Sequence, residues 1–154
     1  MASGHEIAMG LRAAYWAMHR QTQAALAPRG VTADQFVLLA LLAEQDGITQ
    51  QELVRRASSD ANTVRAMLLL LEGRGLVTRA PHPTDRRARR VALTRKGRQT
   101  YERLWARSDP LRERMQAVFR PEEVDALVEF LTRISDVMRG ENGPPHGDRR
   151  QKVL

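Results

Sequence analysis

Apolar residues recur at helical spacing along most of this chain and predict six helices. The first pattern has spacings of 4, 3, 1 and 3 and consists of Ile7, Leu11, Ala14, Tyr15 and Met18. It indicates a helix over residues 7–26, because side chains three or four positions apart share one helical face. Pro28 and Gly30 follow directly and end this helix.

A second helix is predicted after Thr32, which forms a capping box with Gln35. Residues 36–42, FVLLALL, are apolar on nearly every side, so we expect this helix to be buried. Gly47 ends the helix. The short segment around Ile48 is predicted to pair, as a third strand, with a β-ribbon later in the chain.

Two shorter helices separated by a turn are predicted next. Thr49 and Glu52 form a second capping box, which begins the first of these helices at residue 50. The turn is Ser58-Ser59-Asp60, since these side chains hydrogen-bond free backbone N–H groups. The following helix ends at Gly73 and Gly75, and its buried face consists of Val64, Met67, Leu68 and Leu71.

A two-stranded ribbon is predicted after these helices, with strands at residues 76–80 and 89–94. The segment PHPTDRR, residues 81–87, joins the strands and is rich in turn-forming residues. A helix, a turn, a second helix and a ribbon form, in this order, a winged helix-turn-helix, which places one helix in a DNA major groove. The predicted fold is therefore mainly α with a small β-wing.

Positive charge is concentrated on this predicted unit. Residues 56–98 contain eleven Lys or Arg and three acidic residues, a net charge of +8, while the whole chain carries +7. Four arginines within five residues lie on the ribbon and repel one another unless a polyanion binds them: Arg86, Arg87, Arg89 and Arg90. A charge run is usually a solvated surface, but the neighbouring helix-turn-helix favours DNA contact, and a narrow minor groove accepts arginine.

The last part of the chain is predicted to hold two more helices. Thr94 can cap a helix that runs to about Phe119, with a kink or a break at Pro110. Pro121 then begins a final helix that ends at Gly140. Residues 141–154 contain almost no apolar side chains and are expected to be a mobile tail.

These motifs resemble the MarR (multiple antibiotic resistance regulator) family of bacterial transcription factors. The resemblance spans residues 7–139 and is carried by VTADQF (31–36), TQQEL (49–53), DANTV (60–64), EGRGLV (72–77), PTDRR (83–87) and VALT (91–94) with Gly97. In the family the wing pairs an Asp with a nearby Arg and inserts an arginine into the minor groove. Asp85, Arg86 and Arg87 match this motif. The family often has a basic residue where Ala61 stands and an Asp where His82 stands, so its base-reading residues are not carried over.

Ten residues make up the predicted DNA-contact set. Three residues near the start of the second helix of the unit have short or hydrogen-bonding side chains that suit base reading: Asn62, Thr63 and Arg65. The wing contributes Asp85, Arg86, Arg87 and Arg89, with Asp85 supporting one guanidinium. Candidates for phosphate contact are Arg56, Ser58 and Arg74. The alternative for the helix residues is an ordinary solvated helix start.

Four residues are candidates for a small-molecule pocket: Tyr15, Trp16, His19 and Phe36. Aromatic walls with a few polar tips are typical of such pockets. The family resemblance implies an effector site between the first helix and the DNA-binding unit. The alternative for each of these residues is core packing or dimer contact.

We expect residues 1–140 to form one domain. Residues 31–94 form the predicted DNA-binding unit, and residues 6–27 and 95–139 form helices for dimerisation. These outer helices carry apolar stripes that no sheet or second domain in the sequence covers, so a second copy of the chain is the expected cover. Two-fold symmetry would place two recognition helices about 34–36 Å apart, one turn of DNA.

Other chemistry finds little support in the sequence. The chain has no cysteine and four scattered histidines, so no disulfide, zinc cluster or other metal site is expected. No nucleophile motif or glycine-rich phosphate loop occurs, so neither catalysis nor a cofactor is expected. The sequence has no apolar run of roughly 18 residues and no signal peptide, so we expect a cytoplasmic protein without a membrane span.

The predicted function is that of a homodimeric transcriptional regulator. It would act as a repressor that binds double-stranded operator DNA with an inverted repeat and is released by a small-molecule ligand. One alternative is a nucleoid-associated or architectural DNA-binding protein without a dedicated operator. Another is a helical interaction protein whose basic ribbon binds an acidic partner.

Overall fold

The computed structural model describes residues 1–85 and 87–140, which form six α-helices, one 3₁₀ turn and three short strands. The helices are α1 Gly4–Leu26, α2 Ala33–Glu44, α3 Gln50–Arg56, α4 Ala61–Gly73, α5 Arg95–Gln116 and α6 Pro121–Met138, and the 3₁₀ turn is Ala27–Arg29. The strands are β1 Ile48–Thr49, β2 Val77–Pro81 and β3 Arg89–Leu93. The predicted fold class, mainly α with a small β-wing, is confirmed.

The chain divides into two compact units, Met1–Leu111 and Arg112–Leu154. The predicted DNA-binding segment, residues 31–94, lies inside the first unit. The second unit contains the end of α5 and all of α6 within its described residues. The predicted grouping of residues 1–140 into one domain stays a prediction, and the tail expected at residues 141–154 lies outside the described residues.

The core of the first unit is built around α2. Leu38, Leu39 and Leu42 are fully buried on this helix. They join a cluster that includes Leu53 of α3 and Leu68 of α4. Burying each such side chain contributes about 1.5–3 kcal/mol, so the apolar run of residues 36–42 holds the helix-turn-helix together, as its composition predicts.

Side-chain caps set the starts of the helices. The predicted capping box of Thr32 and Gln35 forms completely at α2. At α3, Thr49 accepts the Glu52 backbone N–H, but the Glu52 carboxylate accepts two hydrogen bonds from Arg55 instead of returning to the Thr49 backbone. The first helix begins three residues before the predicted Ile7, because Ser3 forms a capping box with Glu6.

The three strands form an antiparallel sheet in the order β1-β3-β2. Ile48 pairs with Val91, so the third strand predicted at this position is confirmed. In the wing, Val77 pairs with Leu93, Arg79 with Val91, and Pro81 with Arg89. Directly opposed residues share one face of an antiparallel sheet. This face is therefore apolar near its base and carries arginines towards its tip.

The start of α5 packs against the backbone of the turn that joins α4 to β2. The Thr94 backbone N–H donates to the Leu76 carbonyl at 3.1 Å, and the Thr94 hydroxyl donates to the Gly75 carbonyl at 2.6 Å. The same hydroxyl accepts the Gly97 N–H at 2.9 Å, so Thr94 caps α5 as predicted. A Cβ atom at Gly97 would lie 1.9 Å from the Leu76 carbonyl oxygen, so only glycine allows this approach.

Helix α5 is continuous through Pro110. Of the kink or break predicted at this proline, the break does not occur and the kink stays a prediction. The boundary between the two units falls directly after Leu111. Proline removes one backbone hydrogen bond and crowds the preceding turn. In the preceding turn the Ser108 hydroxyl donates to the Trp105 carbonyl at 3.1 Å, a side-chain bond within the helix.

Within residues 1–85 and 87–140, no single helix has the length and apolar content that crossing a membrane requires. Helix α1 with its 3₁₀ turn and α2 reach that composition only together, as a pair bent by 84°.

We predict that Gly97→Ala lowers the free energy of unfolding by about 1–3 kcal/mol, the usual cost of overpacking. The added methyl group collides with backbone atoms of Leu76, which cannot move without displacing the wing. Chemical denaturation would measure the effect. Gly10→Ala is the matched control, because a Cβ atom at this exposed position of α1 meets nothing within 4 Å. Equal midpoints for both variants would contradict the close packing at Gly97.

Candidate nucleic-acid interface

The turn between α3 and α4 is closed by Asp60. Its carboxylate accepts the Thr63 backbone N–H at 2.8 Å and the Thr63 hydroxyl at 2.6 Å. These hydrogen bonds hold the pKa of the Asp60 carboxyl below its usual value, and the bond from the Thr63 side chain has the larger effect. Ser58 adopts the left-handed conformation in this turn, with φ at +50°. The turn therefore sets where α4 begins.

The first turns of α4 present the predicted base-reading residues to solvent. Asn62, Thr63 and Arg65 are exposed, whereas Val64 is fully buried on the opposite side of the helix. The Thr63 hydroxyl donates a hydrogen bond to the Asp60 carboxylate. No side-chain hydrogen bond or ion pair of Asn62 or Arg65 occurs within the described residues, so both side chains are available to a ligand.

The tip of the wing is held by a histidine. The Nδ1 atom of His82 accepts the backbone N–H groups of Thr84 at 3.2 Å and of Asp85 at 3.3 Å. Asn and Asp side chains commonly make such bonds to the next residues in turns. His82 makes these bonds at a position where the family often has Asp. The turn is therefore held by a side chain here as well, although the residue differs.

Asp85 supports the wing backbone in the described residues. Its carboxylate accepts the backbone N–H of Arg87 at 2.9 Å, and both side chains are exposed. Arg86, predicted to enter the minor groove, lies outside the described residues. The predicted pairing of Asp85 with a guanidinium therefore stays a prediction.

Two of the predicted phosphate contacts are engaged within the protein. The guanidinium of Arg56 forms an ion pair with Glu44, which joins α3 to the end of α2. Arg74 donates to the carbonyl of Gly30 at 2.6 Å and to that of Arg29 at 3.4 Å. Arg74 thus ties the end of α4 to the corner between α1 and α2. Ser58, the third candidate, is exposed in the α3–α4 turn.

The wing and the starts of α3 and α4 surround one open cavity of about 390 Å³. Its lining includes Gln51 of α3, Ala61 of α4 and three predicted wing residues, Asp85, Arg87 and Arg89. The structure thus brings the wing tip to the same side of the unit as the exposed start of α4. This arrangement can contact two neighbouring parts of a nucleic-acid surface at once.

A second cavity of about 460 Å³ lies between α4 and the wing. It is lined by Gln50, Arg65, Glu72, Arg79 and Arg89, and we call it the arginine cleft. Arg79 donates to the Glu72 carboxylate from Nε at 3.2 Å and from Nη2 at 3.0 Å. The pKa of the Glu72 carboxyl is lowered mainly by the hydrogen bond from the Arg79 side chain, and the positive charge of Arg89 lowers it further.

Gln50, Glu72 and Arg79 were not among the predicted site residues. The sequence contained a partial indication of this cleft. Alternation along the strands puts Arg79 and Arg89 on one face of the sheet. The seven-residue spacing of Arg65 and Glu72 puts both on one face of α4. Only the packing of the helix against the sheet brings the two faces together.

Comparison with known proteins supports this assignment of elements. The MarR family model matches residues 31–88. The regulator YdgJ of Bacillus subtilis, described as an uncharacterized HTH-type transcriptional regulator, is 31% identical over 105 residues, which are 68% of this chain and 64% of YdgJ. The chain thus spans less than two thirds of the length of this relative.

Solved structures match over a larger share of both chains. The transcriptional repressor CouR bound to a 23-mer DNA duplex superposes with a TM-score of 0.74 and 29% identity, over 88% of this chain and 99% of CouR. The regulator BpsR of Bordetella bronchiseptica, whose DNA binding is regulated by 6-hydroxynicotinic acid, superposes with a TM-score of 0.77 and is 28% identical. The match covers 88% of this chain and 97% of BpsR.

The chain belongs to the MarR family.

The four candidate residues for an effector pocket fall into two groups of ring contacts. Tyr15, Trp16 and His19 contact one another on α1, with ring centroids 5.4–5.7 Å apart, and the first two are 48% and 42% exposed. Phe36 is only 8% exposed and stacks on Tyr101 at 6.0 Å. In the described part of the chain no ring contact joins the two groups, and neither cavity above includes them. Their role in ligand binding stays a prediction.

Within residues 1–85 and 87–140, no group of three or more His, Asp or Glu side chains is placed to hold a metal ion.

We predict that Asp60→Asn removes an acid-sensitive contribution to stability. Because the folded-state pKa of Asp60 is lowered, the ionised carboxylate stabilises the fold above its unfolded pKa of about 3.9, and this stability is lost as the pH falls through the lower folded value. The wild type should therefore exceed Asp60→Asn in stability at pH 6, with the difference shrinking below pH 4 or so. Denaturation curves at several pH values test this, and a constant difference would contradict it.

We predict that Arg74→Ala lowers the free energy of unfolding by about 0.5–1.5 kcal/mol, the usual net contribution of a hydrogen bond. The reason is the loss of the bond between the Arg74 guanidinium and the Gly30 carbonyl. The salt dependence of DNA affinity separates this role from a phosphate contact. If Arg74 is only structural, its replacement leaves the slope of log DNA affinity against log salt concentration unchanged. A slope reduced by about one would assign Arg74 to a phosphate contact.

Proposed function

We propose that this MarR-family chain is a sequence-specific DNA-binding transcriptional regulator that acts as a homodimeric repressor and is released by a small-molecule ligand. One observation carries the proposal. The exposed start of α4 and the wing residues Asp85, Arg87 and Arg89 lie around the same open cavity. A recognition helix in the major groove and a wing beside it need this placement.

The distribution of charge supports DNA as the partner. The excess positive charge of the chain falls within residues 56–98, where the helix-turn-helix and the wing lie. Arg87 and Arg89 are exposed. Arginines that neutralise phosphates release counterions, so affinity should fall steeply as salt rises. Exposed Asn62 and Arg65 supply hydrogen-bonding groups for base edges.

Exposed apolar side chains support the homodimer. On α1 they are Ile7, Met9, Tyr15, Trp16 and Met18, and on α6 they are Leu127, Val128, Phe130, Leu131, Val137 and Met138. Exposed apolar side chains in such number are unusual unless a partner covers them, so each of the two helices is a candidate for an interaction site. A two-fold dimer would cover these side chains and present two recognition helices to an operator with an inverted repeat.

Physical and comparative arguments support a repressor that a ligand controls. Such a ligand would release DNA by binding more tightly to a conformer whose recognition helices are wrongly spaced for the operator. The similar regulator BpsR responds to 6-hydroxynicotinic acid. For this chain, the exposed aromatic group of Tyr15, Trp16 and His19 is the candidate contact for such a ligand.

Selection of bound fragments from genomic DNA tests the proposal, with Arg87→Ala as the wing variant. We expect a short inverted repeat for the wild type. The variant should bind it with about 1–3 kcal/mol less free energy, as for an arginine that enters a groove or reads a base. Arg20→Ala is the control, since it removes the same charge from the exposed surface of α1. The double variant Arg86→Ala/Arg87→Ala should lose more.

The other outcomes identify the alternatives. Fragments without a shared motif would favour an architectural DNA-binding protein, since specific binders prefer their site by at least about 10³-fold. Recovery of no DNA would favour an acidic protein partner for the basic ribbon. Equal affinities of the wild type and Arg87→Ala would show that the wing assignment is wrong.

A further inference from the structure

The face of the wing that packs towards α4 changes character along its length. Val77 and Val91 are buried near the base of this face. Arg79 lies directly opposite Val91 on the same face, and Arg89, opposite Pro81, lies at its outer end. Strand alternation thus extends an apolar packing surface into a cationic one.

Helix α4 completes the arginine cleft from the other side. Arg65 and Glu72 lie seven residues apart, two helical turns along one face. Both line the cleft together with Arg79, Arg89 and the side chain of Gln50 at the start of α3. Three guanidinium groups therefore surround one carboxylate, and the cleft carries a net positive charge.

The three guanidinium groups differ in how firmly they are held. Glu72 binds Nε and Nη2 of Arg79, whose side chain is only 19% exposed, so this group is fixed while other N–H donors remain. Within the described residues, Arg65 and Arg89 have neither an ion pair nor a side-chain hydrogen bond. Like charges brought together around a cavity are unfavourable unless an anion enters it.

We propose that the arginine cleft binds one phosphate group, and that this phosphate belongs to the DNA backbone beside the recognition helix. Arginine donors in a fixed fork match the oxygens of a phosphate. The cleft opens between the exposed face of α4 and the wing, where a strand of DNA would pass if the proposed function is correct. Arg79 and Arg89 contact the phosphate, Arg65 adds positive charge to the cleft, and Glu72 is a positioning residue that orients Arg79.

Affinity measured against salt concentration tests the phosphate contact. Arg79→Gln and Arg89→Gln should each weaken binding roughly tenfold, as expected for losing a charged hydrogen bond. The loss should be equal for the operator and for random DNA, because a phosphate carries no sequence information. The slope of log affinity against log salt should flatten by up to about 0.9. Arg20→Gln, which removes a charge from α1, should change neither quantity.

Glu72→Gln separates positioning from simple electrostatics. Removing a negative charge beside a phosphate would by itself strengthen DNA binding. If Glu72 orients Arg79, the variant binds DNA more weakly than the wild type although its net charge rises. Stronger binding by Glu72→Gln would overturn the positioning role. Its thermal unfolding is measured in parallel, so that a folding defect is not mistaken for lost contact.

A second measurement distinguishes DNA from a free anion as the source of the phosphate. Inorganic phosphate is titrated into the DNA-free protein at constant ionic strength, and the arginine Nε–H signals are followed by NMR. Shifts of Arg79 and Arg89 at millimolar phosphate, together with weaker DNA binding by the variants, support the proposal. Micromolar phosphate binding combined with unchanged DNA affinity would overturn it in favour of a free phosphorylated ligand.

This proposal and the proposed function can fail separately. If the wild type binds an operator and Arg87→Ala weakens that binding while the cleft variants do not, only the cleft assignment is wrong. If the wild type prefers no DNA sequence, the regulator proposal fails, and the salt slopes on random DNA still decide whether the cleft contacts a phosphate.

Discussion

The contact between the start of α5 and the turn after α4 is the constraint on which the arrangement of the interface depends. The carbonyls of Arg74, Gly75 and Leu76 accept hydrogen bonds from the Lys96 side chain, the Thr94 hydroxyl and the Thr94 backbone N–H respectively. This approach requires glycine at position 97. It fixes the wing, which begins at residue 77, relative to the helix before it.

The same turn is also held from the other side. Arg74 extends its guanidinium to the carbonyls of the corner between α1 and α2. Glu44 and Arg56 form a further link between α2 and α3. The elements of the helix-turn-helix are thus joined by charged hydrogen bonds around a leucine-rich core. Such bonds are directional, so they constrain orientation where apolar packing alone tolerates small rotations.

Arginines of the first unit divide into two groups by their surroundings. Arg56, Arg74 and Arg79 have oxygen acceptors within the protein. The first two link helices of the unit to each other, and Arg79, oriented by Glu72, also lines the arginine cleft. Arg65 and Arg89 have no such acceptor in the described residues, and they face the open cleft. Net charge therefore points to the candidate interface, and the local hydrogen bonds separate the arginines that have acceptors within the protein from those that face solvent.

The sequence by itself determined the helices, the wing and the family, because caps, periodicity and turn residues act within about four positions of the chain. The partners of the arginines were decided only by the tertiary structure. Arg74 finds Gly30 44 residues away, and Arg98 finds Asp46 at a separation of 52 residues. The stacking of Phe36 on Tyr101 of α5, 65 residues later in the chain, is a contact of the same kind. Contacts at such separations depend on how completed elements pack, and no local pattern encodes them.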